Sequence, residues 1–368
     1  MEKLNDYKEC LTNLACSIRK YFNLDYSHNT LDCIDKILEE KQPEKVVVIL
    51  LDGMGSNLLS RALDKDSFFL KNKLRDIKSV FPATTTSATI SIRTGLNPSE
   101  HGWLAYNTYI KPLDKTITLF RGCEKGNEDV QVSEYKDIRN NELNYITIAE
   151  AINNRGIDRG YEITPFGPDG YKNLDDMLAR IETVLSQDGK KYIYAYNNEP
   201  DHTMHLCGTD SPEAIELIQE RNDKIEQLAS KLENTLLIVL ADHGHRNVTN
   251  LYLKDYPTIK NMLLRTTSNE PRACMFKVKE EYLNEFPIEF NRCFKDDFKL
   301  YTKKEILDNK LFGDGKYNPL FIDALGDYIA IAYDSNKTIL DEGDEALTSH
   351  HAGLHDDEIY VPLIVINK

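Results

Sequence analysis

The chain has 368 residues, 41% of them hydrophobic, which fits one large α/β domain or such a domain with a smaller module. A formal net charge of −15 argues against broad nucleic-acid binding, which needs a basic surface. No apolar run approaches the roughly 20 residues that span a bilayer, so neither a nucleic-acid polymer nor a membrane is an expected partner.

Residues 1–40 are predicted to form an N-terminal helical extension. Charges occur throughout its first half, which lacks the continuous apolar core of a signal peptide. The chain has seven cysteines, an odd number without a CxxC pair, which indicates reduced thiols. We therefore expect an amphipathic helix packed on the domain and a cytoplasmic location.

Four apolar runs without alternation predict strands buried on both faces of a sheet. The runs are 45–51 (KVVVILL), 191–196 (KYIYAY), 235–240 (TLLIVL) and 359–366 (IYVPLIVI). Helical patterns at 173–185 and 211–232 separate them, so a mostly parallel sheet flanked by helices on both faces is expected. The proline of the last run places that strand toward an edge.

Residues 250–345 follow a different, α+β pattern. Strand-like segments at 271–279 and 326–333 lie on either side of helical and turn-rich segments. We predict a smaller cap module inserted at 250–345 into a catalytic core formed by 41–249 and 346–368.

Acidic residues and histidines follow the first three predicted strands. Asp52 comes directly after the first run. Asp201 and His205 follow the second run in DHTMH, and Asp242 and His243 follow the third in DHGH. Ligands of open α/β sheets bind beyond the carboxyl ends of the strands, so these side chains should converge.

A fourth cluster, HHAGLHDDE, occupies residues 350–358 before the last strand. Seven of the nine histidines lie in this cluster, in DHTMH or in DHGH. Three carboxylates and three imidazoles suit zinc or a similar divalent ion and are enough for two ions. Two such ions would give an acidic protein the local positive charge that phosphate chemistry needs.

The segment FPATTTSATISIRTG at 81–95 contains five threonines and two serines. Threonine and serine are good helix caps, which would explain some of them. Alternatively, one hydroxyl is a nucleophile at a helix N-terminus, where backbone amides receive phosphate. The segment alone leaves both explanations open.

The ordered motifs LDGMG, FPATTTSATISIRTGLNPSEHG, DHTMH, ADHGH and HHAGLHDDEIYVPLIV resemble the alkaline phosphatase superfamily. Within it, the chain is similar to the type I phosphodiesterase/nucleotide pyrophosphatase branch. The motifs span residues 51–365, and EPRA at 270–273 with LFGDG at 311–315 resembles the inserted module of bacterial members. The resemblance implies an alkaline-phosphatase-like α/β fold and a hydrolase of phosphodiester or nucleotide pyrophosphate bonds.

The resemblance also implies a nucleophile. In the family it lies three residues after the proline and nine before the threonine of a TGL turn. Both counts select Thr85, with Thr84 and Thr86 as the neighbouring alternatives. A threonyl-phosphate intermediate would follow.

Two divalent ions are implied, expected to be zinc, with manganese or iron as alternatives. The implied ligands are Asp52, Asp242, His243 and the Thr85 oxygen for one ion, and Asp201, His205 and His351 for the other. His350 is an alternative to His351, because the family pattern HGGL reads HAGL here. His202 and His245 are expected behind the ligands or at the surface.

The substrate is expected to be a small phosphodiester or nucleotide. Asn107 is the candidate phosphate-binding asparagine, although Tyr106 stands at the family's usual position. Arg93 lies within the predicted helix and no further acid cluster marks a magnesium site, which favours diesters over monoesters. The oligomeric state stays open.

Three rival functions remain. Phosphomonoesterase and phosphonoacetate hydrolase activities occur on the same scaffold, and a non-catalytic metal-binding protein belongs to a different class. The CxPxR or SxPxR signature of sulfatases is absent, and phosphomutases differ in motif order and insertion pattern.

Overall fold

The structure, a computed structural model, describes residues 7–368, so the first six residues of the predicted N-terminal extension lie outside the described residues. The helices are α1 (Leu11–Tyr21), α2 (Asp32–Lys41), α3 (Ser56–Ala62), α4 (Phe68–Asn72), α5 (Thr85–Thr94), α6 (Pro98–His101), α7 (Tyr135–Asn141), α8 (Ile148–Arg155), α9 (Leu174–Leu185), α10 (Asp201–Cys207), α11 (Pro212–Ala229), α12 (Pro257–Met262), α13 (Phe286–Phe294), α14 (Lys303–Asp308), α15 (Phe321–Ala324) and α16 (Asp356–Ile359). The strands are β1 (Lys45–Leu51), β2 (Lys73–Lys78), β3 (Asn107–Ile110), β4 (Lys115–Thr118), β5 (Cys123–Glu124), β6 (Asn127–Gln131), β7 (Arg159–Ile163), β8 (Lys191–Asn197), β9 (Thr235–Leu240), β10 (Arg246–Asn247), β11 (Thr249–Tyr252), β12 (Ser268–Glu270), β13 (Ala273–Phe276), β14 (Phe298–Thr302), β15 (Tyr328–Ala332), β16 (Lys337–Leu340), β17 (Ser349–His350) and β18 (Tyr360–Asn367).

The main sheet has the strand order β2-β18-β9-β1-β8-β7. Strands β9, β1, β8 and β7 run parallel, whereas β18 is antiparallel to both of its neighbours. The parallel strands β1, β8 and β9 are buried nearly throughout, which explains their unbroken apolar runs. The mostly parallel sheet is therefore confirmed. The last strand lies one position in from the edge, where Pro362 pairs with Asp76 of the edge strand.

Helices α1, α8, α9 and α11 bury their apolar residues against this sheet in one core. The predicted helix at 173–185 is α9, whose first turn is capped by the Asn173 side chain. The predicted helix at 211–232 is α11, capped by Ser211. Within the described part of the chain, no helix has both the length and the apolar character to cross a bilayer.

The N-terminal extension packs against the hydroxyl-rich helix α5. The guanidinium of Arg19 donates a 3.1 Å hydrogen bond to the carbonyl of Thr94. At that point α5 ends on Gly95, whose φ of 79° lies in the left-handed region that glycine adopts easily. Helix α1 therefore supports the C-terminal end of α5.

A second sheet has the order β14-β15-β13-β12-β3-β4-β5-β6. The strands expected near 271–279 and 326–333 are β13 and β15. Four further strands come from 107–131, within the predicted catalytic core, and join through pairing of Asn107 with Asn269. The boundaries of the predicted cap module stay a prediction.

Candidate active site

Three aspartates lie at the carboxyl ends of adjacent strands. Asp52 follows β1, Asp242 follows β9 after one residue, and Asp201 begins α10 beyond β8. The main chain ties two of them together, because the amide of Asp201 donates to the carbonyl of Asp52 at 3.0 Å. The strand order β9-β1-β8 thus brings the three carboxylates to one point, as expected for this class of sheet.

The first cluster consists of Asp52, Asp242 and His243, all of them buried, with ligand atoms within 4.8 Å of one another. His243 Nε2 is 3.2 Å from an Asp52 oxygen and 3.6 Å from Asp242 Oδ2. Asp242 Oδ2 is buried and has no hydrogen-bond partner. A buried carboxylate oxygen without a partner needs a cation, so this cluster fits a divalent ion.

The second cluster centres on Asp201. Its oxygen Oδ1 is 3.5 Å from His205 Nε2 and 4.0 Å from His351 Nε2. Asp201, His243, His245 and His351 all present ligand atoms within 4.8 Å of one another, whereas His205 lies just outside that compact set. The six carboxylate and imidazole ligands that were predicted are therefore neighbours in the structure.

Three further histidines occupy different places. His245 is buried, its Nε2 contacts the Asp201 carboxylate directly, and it belongs to the compact set around Asp201, so its expected place behind the ligands stays a prediction. His202 is exposed. His350 is buried with its ring 5.3 Å from that of His205, but it belongs to neither cluster.

The three predicted histidine ligands are held in the same way. Each is bonded at Nδ1 to a backbone carbonyl, and the pairs are His205 with Ser349 at 2.9 Å, His243 with Gly244 at 3.1 Å and His351 with Ala83 at 3.1 Å. A carbonyl only accepts, so the ring proton lies on Nδ1. Nδ1 is thereby occupied, so Nε2 is the ring atom that each histidine presents to the carboxylates, where it could bind a shared cation.

The carboxyl pKa values reflect this crowding. Burial, followed by repulsion from a neighbouring carboxylate, raises the pKa values of Asp52 and Asp242 well above the usual range. Burial alone would also raise the pKa of Asp201, but the imidazoles of His205 and His245 outweigh it and lower that pKa. The carboxylates of the first cluster thus have less compensating positive charge around them than Asp201 has in the second cluster.

Thr85 is the first residue of α5 and faces the first cluster. Its hydroxyl oxygen is 3.2 Å from Asp52 Oδ2 and 3.2 Å from His243 Nε2. The neighbouring hydroxyl of Thr84 instead donates to Glu270 Oε1 at 2.8 Å, and the buried Oγ1 of Thr86 has no partner. Among the three adjacent threonines, only Thr85 contacts the predicted metal ligands.

Other hydroxyls of this segment bond to the helix backbone. Thr89 donates to the carbonyl of Thr85 at 2.6 Å, and Thr94 donates to that of Ile90 at 2.7 Å. Such bonds to the preceding turn are the ordinary way in which a helix accommodates buried threonines. These residues are structural.

Asn107 begins β3 and is buried. The Thr118 hydroxyl donates to its Oδ1 at 2.8 Å, which fixes the side-chain amide with Nδ2 as the remaining donor. No described residue accepts from that nitrogen. The phosphate-binding role of Asn107 stays a prediction.

The turn that carries His351 is held by a buried ion pair. Arg272 Nε donates to Glu358 Oε1 at 2.6 Å, and the same oxygen accepts from the Gly353 amide at 2.8 Å. Ala352, between His351 and Gly353 in the chain, has a φ of 85°, a conformation that favours glycine. The departure from HGGL to HAGL therefore places an alanine at a strained position.

Three residues around the site had no role predicted from the sequence. Tyr196 donates its hydroxyl to Asp52, and the ring of Phe166 stacks on that of Tyr196 with centroids 5.7 Å apart. Phe166 is 66% exposed and lies in an irregular loop, where no periodicity marks its role. Glu270 is buried and reaches the site from the second sheet. An acid in the EPRA motif was the available signal for Glu270.

Comparison with known proteins identifies a family and similar folds. A model of the family described as type I phosphodiesterase / nucleotide pyrophosphatase matches residues 46–356. No curated protein sequence matches the chain.

Three similar solved structures are of ectonucleotide pyrophosphatase/phosphodiesterase 5, each covering 87% of both chains. They are the murine protein (22% identity, TM-score 0.66), an inactive form of the murine protein in complex with AMP (21%, 0.64) and the human protein (18%, 0.65). The likeness extends over the alkaline-phosphatase-like fold, which confirms the fold expected from the motifs.

Proposed function

The chain belongs to the type I phosphodiesterase/nucleotide pyrophosphatase family, and we propose that this metal-binding hydrolase cleaves its substrate through a threonyl-phosphate intermediate at a two-metal site. The observation that carries the proposal is the position of Thr85 Oγ1, 3.2 Å from both Asp52 and His243. A hydroxyl in that position would be a ligand of any ion held by the first cluster, and metal coordination activates such a nucleophile.

Seven side chains in two sets would hold the two ions. The first set is Asp52, Asp242, His243 and Thr85, and the second is Asp201, His205 and His351. Mixed nitrogen and oxygen donors suit zinc, with manganese or iron as alternatives. When bound, the ions would lower the pKa of the Thr85 hydroxyl and stabilise negative charge on the attacking and leaving oxygens.

In the proposed reaction, the Thr85 oxygen forms a bond to phosphorus in line with the leaving group. The bond from phosphorus to the leaving oxygen breaks, and that oxygen takes up a proton. Water then attacks the phosphothreonine, releases the phosphorylated product and restores the hydroxyl of Thr85. Backbone amides at the start of α5 and the amide of Asn107 would donate to the phosphoryl oxygens, where charge develops.

Phosphodiesters and nucleotide pyrophosphates fit this site better than monoesters. Arg93 is paired with Glu162 at 2.6 Å and is not available to a phosphate dianion. Among the described residues, the two clusters above are the candidate metal groups, so no third one offers additional positive charge. Monoesterase or phosphonoacetate hydrolase activity is the second candidate because the scaffold permits both.

A nucleotide is the substrate class that we favour. Phe166 offers an exposed aromatic face next to Tyr196, whose hydroxyl contacts Asp52. Aromatic faces of this kind stack nucleobases. The similar murine protein has been obtained in complex with AMP, which supports the same class of ligand here.

Hydrolysis of bis(p-nitrophenyl) phosphate and p-nitrophenyl phosphate tests the proposal. The purified chain, loaded with zinc or manganese, should cleave the diester faster. Thr85→Ala should lower turnover by roughly 10³-fold or more while metal content is retained. Thr94→Ala, at the other end of the same helix, is the matched control.

Full activity of Thr85→Ala would contradict the nucleophile assignment. Preference for the monoester would favour the second candidate. Metal binding without hydrolysis of either ester would favour a non-catalytic metal-binding protein.

A further inference from the structure

Thr84 occupies the N-cap of α5 but does not cap the helix. Its extended backbone, with φ −141° and ψ 149°, is that of an N-cap residue, yet its side chain accepts no bond from the first turn. A threonine at this position normally accepts from an amide two or three residues on. No described group accepts from the amides of Thr85, Thr86 or Ser87, so these donors face the start of the helix unpaired.

The Thr84 hydroxyl is bonded to Glu270 instead. The Thr84 hydroxyl donates to Glu270 Oε1 at 2.8 Å, and in the orientation that this bond holds, its oxygen accepts from none of the first-turn amides. Burial raises the pKa of Glu270 to about 7, and its ionised form is the stronger acceptor for a hydroxyl, since charge-assisted hydrogen bonds exceed neutral ones. Glu270 is only 5% exposed, so water competes little for this hydrogen bond.

The same Glu270 oxygen organises a second element of the site. It accepts from the amide of Tyr106 at 2.8 Å, directly before Asn107. The adjacent Asn269 pairs with Asn107 in the second sheet. One buried oxygen thus joins the start of the nucleophile helix to the start of β3.

We propose that Glu270 is a positioning residue that holds the Thr84 hydroxyl off the first-turn amides of α5, so that these amides remain available to phosphoryl oxygens. It also fixes the backbone that carries Asn107. This inference rests on the proposed function, because free amides matter only if phosphate is the ligand. Glu270 touches neither substrate nor metal in this role and acts through Thr84 and Tyr106.

A set of variants separates this role from a merely structural one. Glu270→Leu removes the acceptor and keeps the volume, so the Thr84 hydroxyl becomes free to cap α5. We expect kcat/KM for bis(p-nitrophenyl) phosphate to fall by roughly 100-fold, the scale for losing one oxyanion donor. Glu270→Gln keeps an acceptor oxygen and should retain most activity, whereas exposed Glu280→Leu is the matched control.

The decisive variant is the double change Glu270→Leu with Thr84→Val. Valine has the shape of threonine but cannot cap, so the amides are released again and activity should recover at least about tenfold over Glu270→Leu. Inhibition by inorganic phosphate should weaken in the single variant and recover in the double variant. A structural defect at Glu270 would not be repaired by a second substitution at Thr84.

Wild-type activity in Glu270→Leu would overturn the inference, as would a double variant no more active than the single one with metal content unchanged. If Glu270→Leu fails to fold, a crystal structure of the wild-type protein with bound inorganic phosphate tests the inference instead. The inference requires amides of the first turn within about 3 Å of a phosphate oxygen and Thr84 still on Glu270. Amides capped by Thr84 would overturn it. Failure of the wild-type protein to hydrolyse either ester would instead count against the proposed function.

Discussion

Metal removal should make the stability of the protein fall as pH rises. Burial, followed by repulsion from a neighbouring carboxylate, raises the pKa values of Asp52 and Asp242, whereas an aspartate in the unfolded chain titrates near about 3.9. The folded, metal-free protein therefore holds protons that the unfolded chain has released. The contribution of these protons is complete below the unfolded pKa and is lost as pH rises through the folded values. Bound metal keeps both carboxylates ionised and should abolish this loss.

The expected slope of the unfolding free energy against pH follows from the two carboxylates. Each proton held only by the folded state contributes a slope of about 1.4 kcal/mol per pH unit, so two give at most about 2.7 kcal/mol per pH unit. Equivalently, apparent metal affinity should rise by up to about 10-fold per pH unit for each proton released.

Thermal unfolding of metal-loaded and chelator-treated protein between pH 5 and 8 measures this effect. The difference in Tm between the two forms should widen with pH, because groups outside the site titrate alike in both. Asp52→Asn should flatten the dependence, whereas exposed Asp296→Asn should leave it unchanged. A difference that stays constant or narrows as pH rises would refute the assignment of the first cluster as a cation site.

Three more predictions concern the surroundings of the site. Phe166→Ala should raise the inhibition constant of AMP by roughly 10-fold or more, which is the loss expected when one base-stacking contact is removed. The inhibition constant of inorganic phosphate should not change. His245→Ala should weaken metal retention by roughly 10- to 100-fold in a chelator competition, whereas exposed His202→Ala should not. Ala352→Gly should change the free energy of unfolding in urea by less than about 1 kcal/mol, because relief of left-handed strain offsets the lost methyl group. Ala352→Val should be clearly destabilising in the same titration, since a β-branched side chain is poorly accommodated there.

Much of the fold was predictable because its central strands are buried on both faces. Runs such as those of β1 and β9 can be read without tertiary information, and the acids behind them lie at the carboxyl ends of neighbouring strands. The convergence of Asp52 and Asp242 follows from that topology alone. The predicted edge position of the last strand, β18, was only approximate. Strand β2 pairs with its outer side and forms the edge of the sheet.

What the sequence did not indicate depends on contacts between distant segments. The bond from Thr84 to Glu270 joins residues 186 positions apart, and no local pattern encodes it. The same holds for the second sheet, in which β3 meets β12 through a single residue pair. Phe166 was missed because irregular loops carry no periodicity that distinguishes an exposed aromatic side chain from any other.

Anomalous diffraction from a zinc-loaded crystal tests the central claim most directly. Two peaks about 3.5–4 Å apart are predicted, one bonded to Asp52, Asp242, His243 and the Thr85 oxygen and the other bonded to Asp201. A Thr85 oxygen remote from both peaks, or the absence of metal from the first cluster, would contradict the two-metal threonine mechanism.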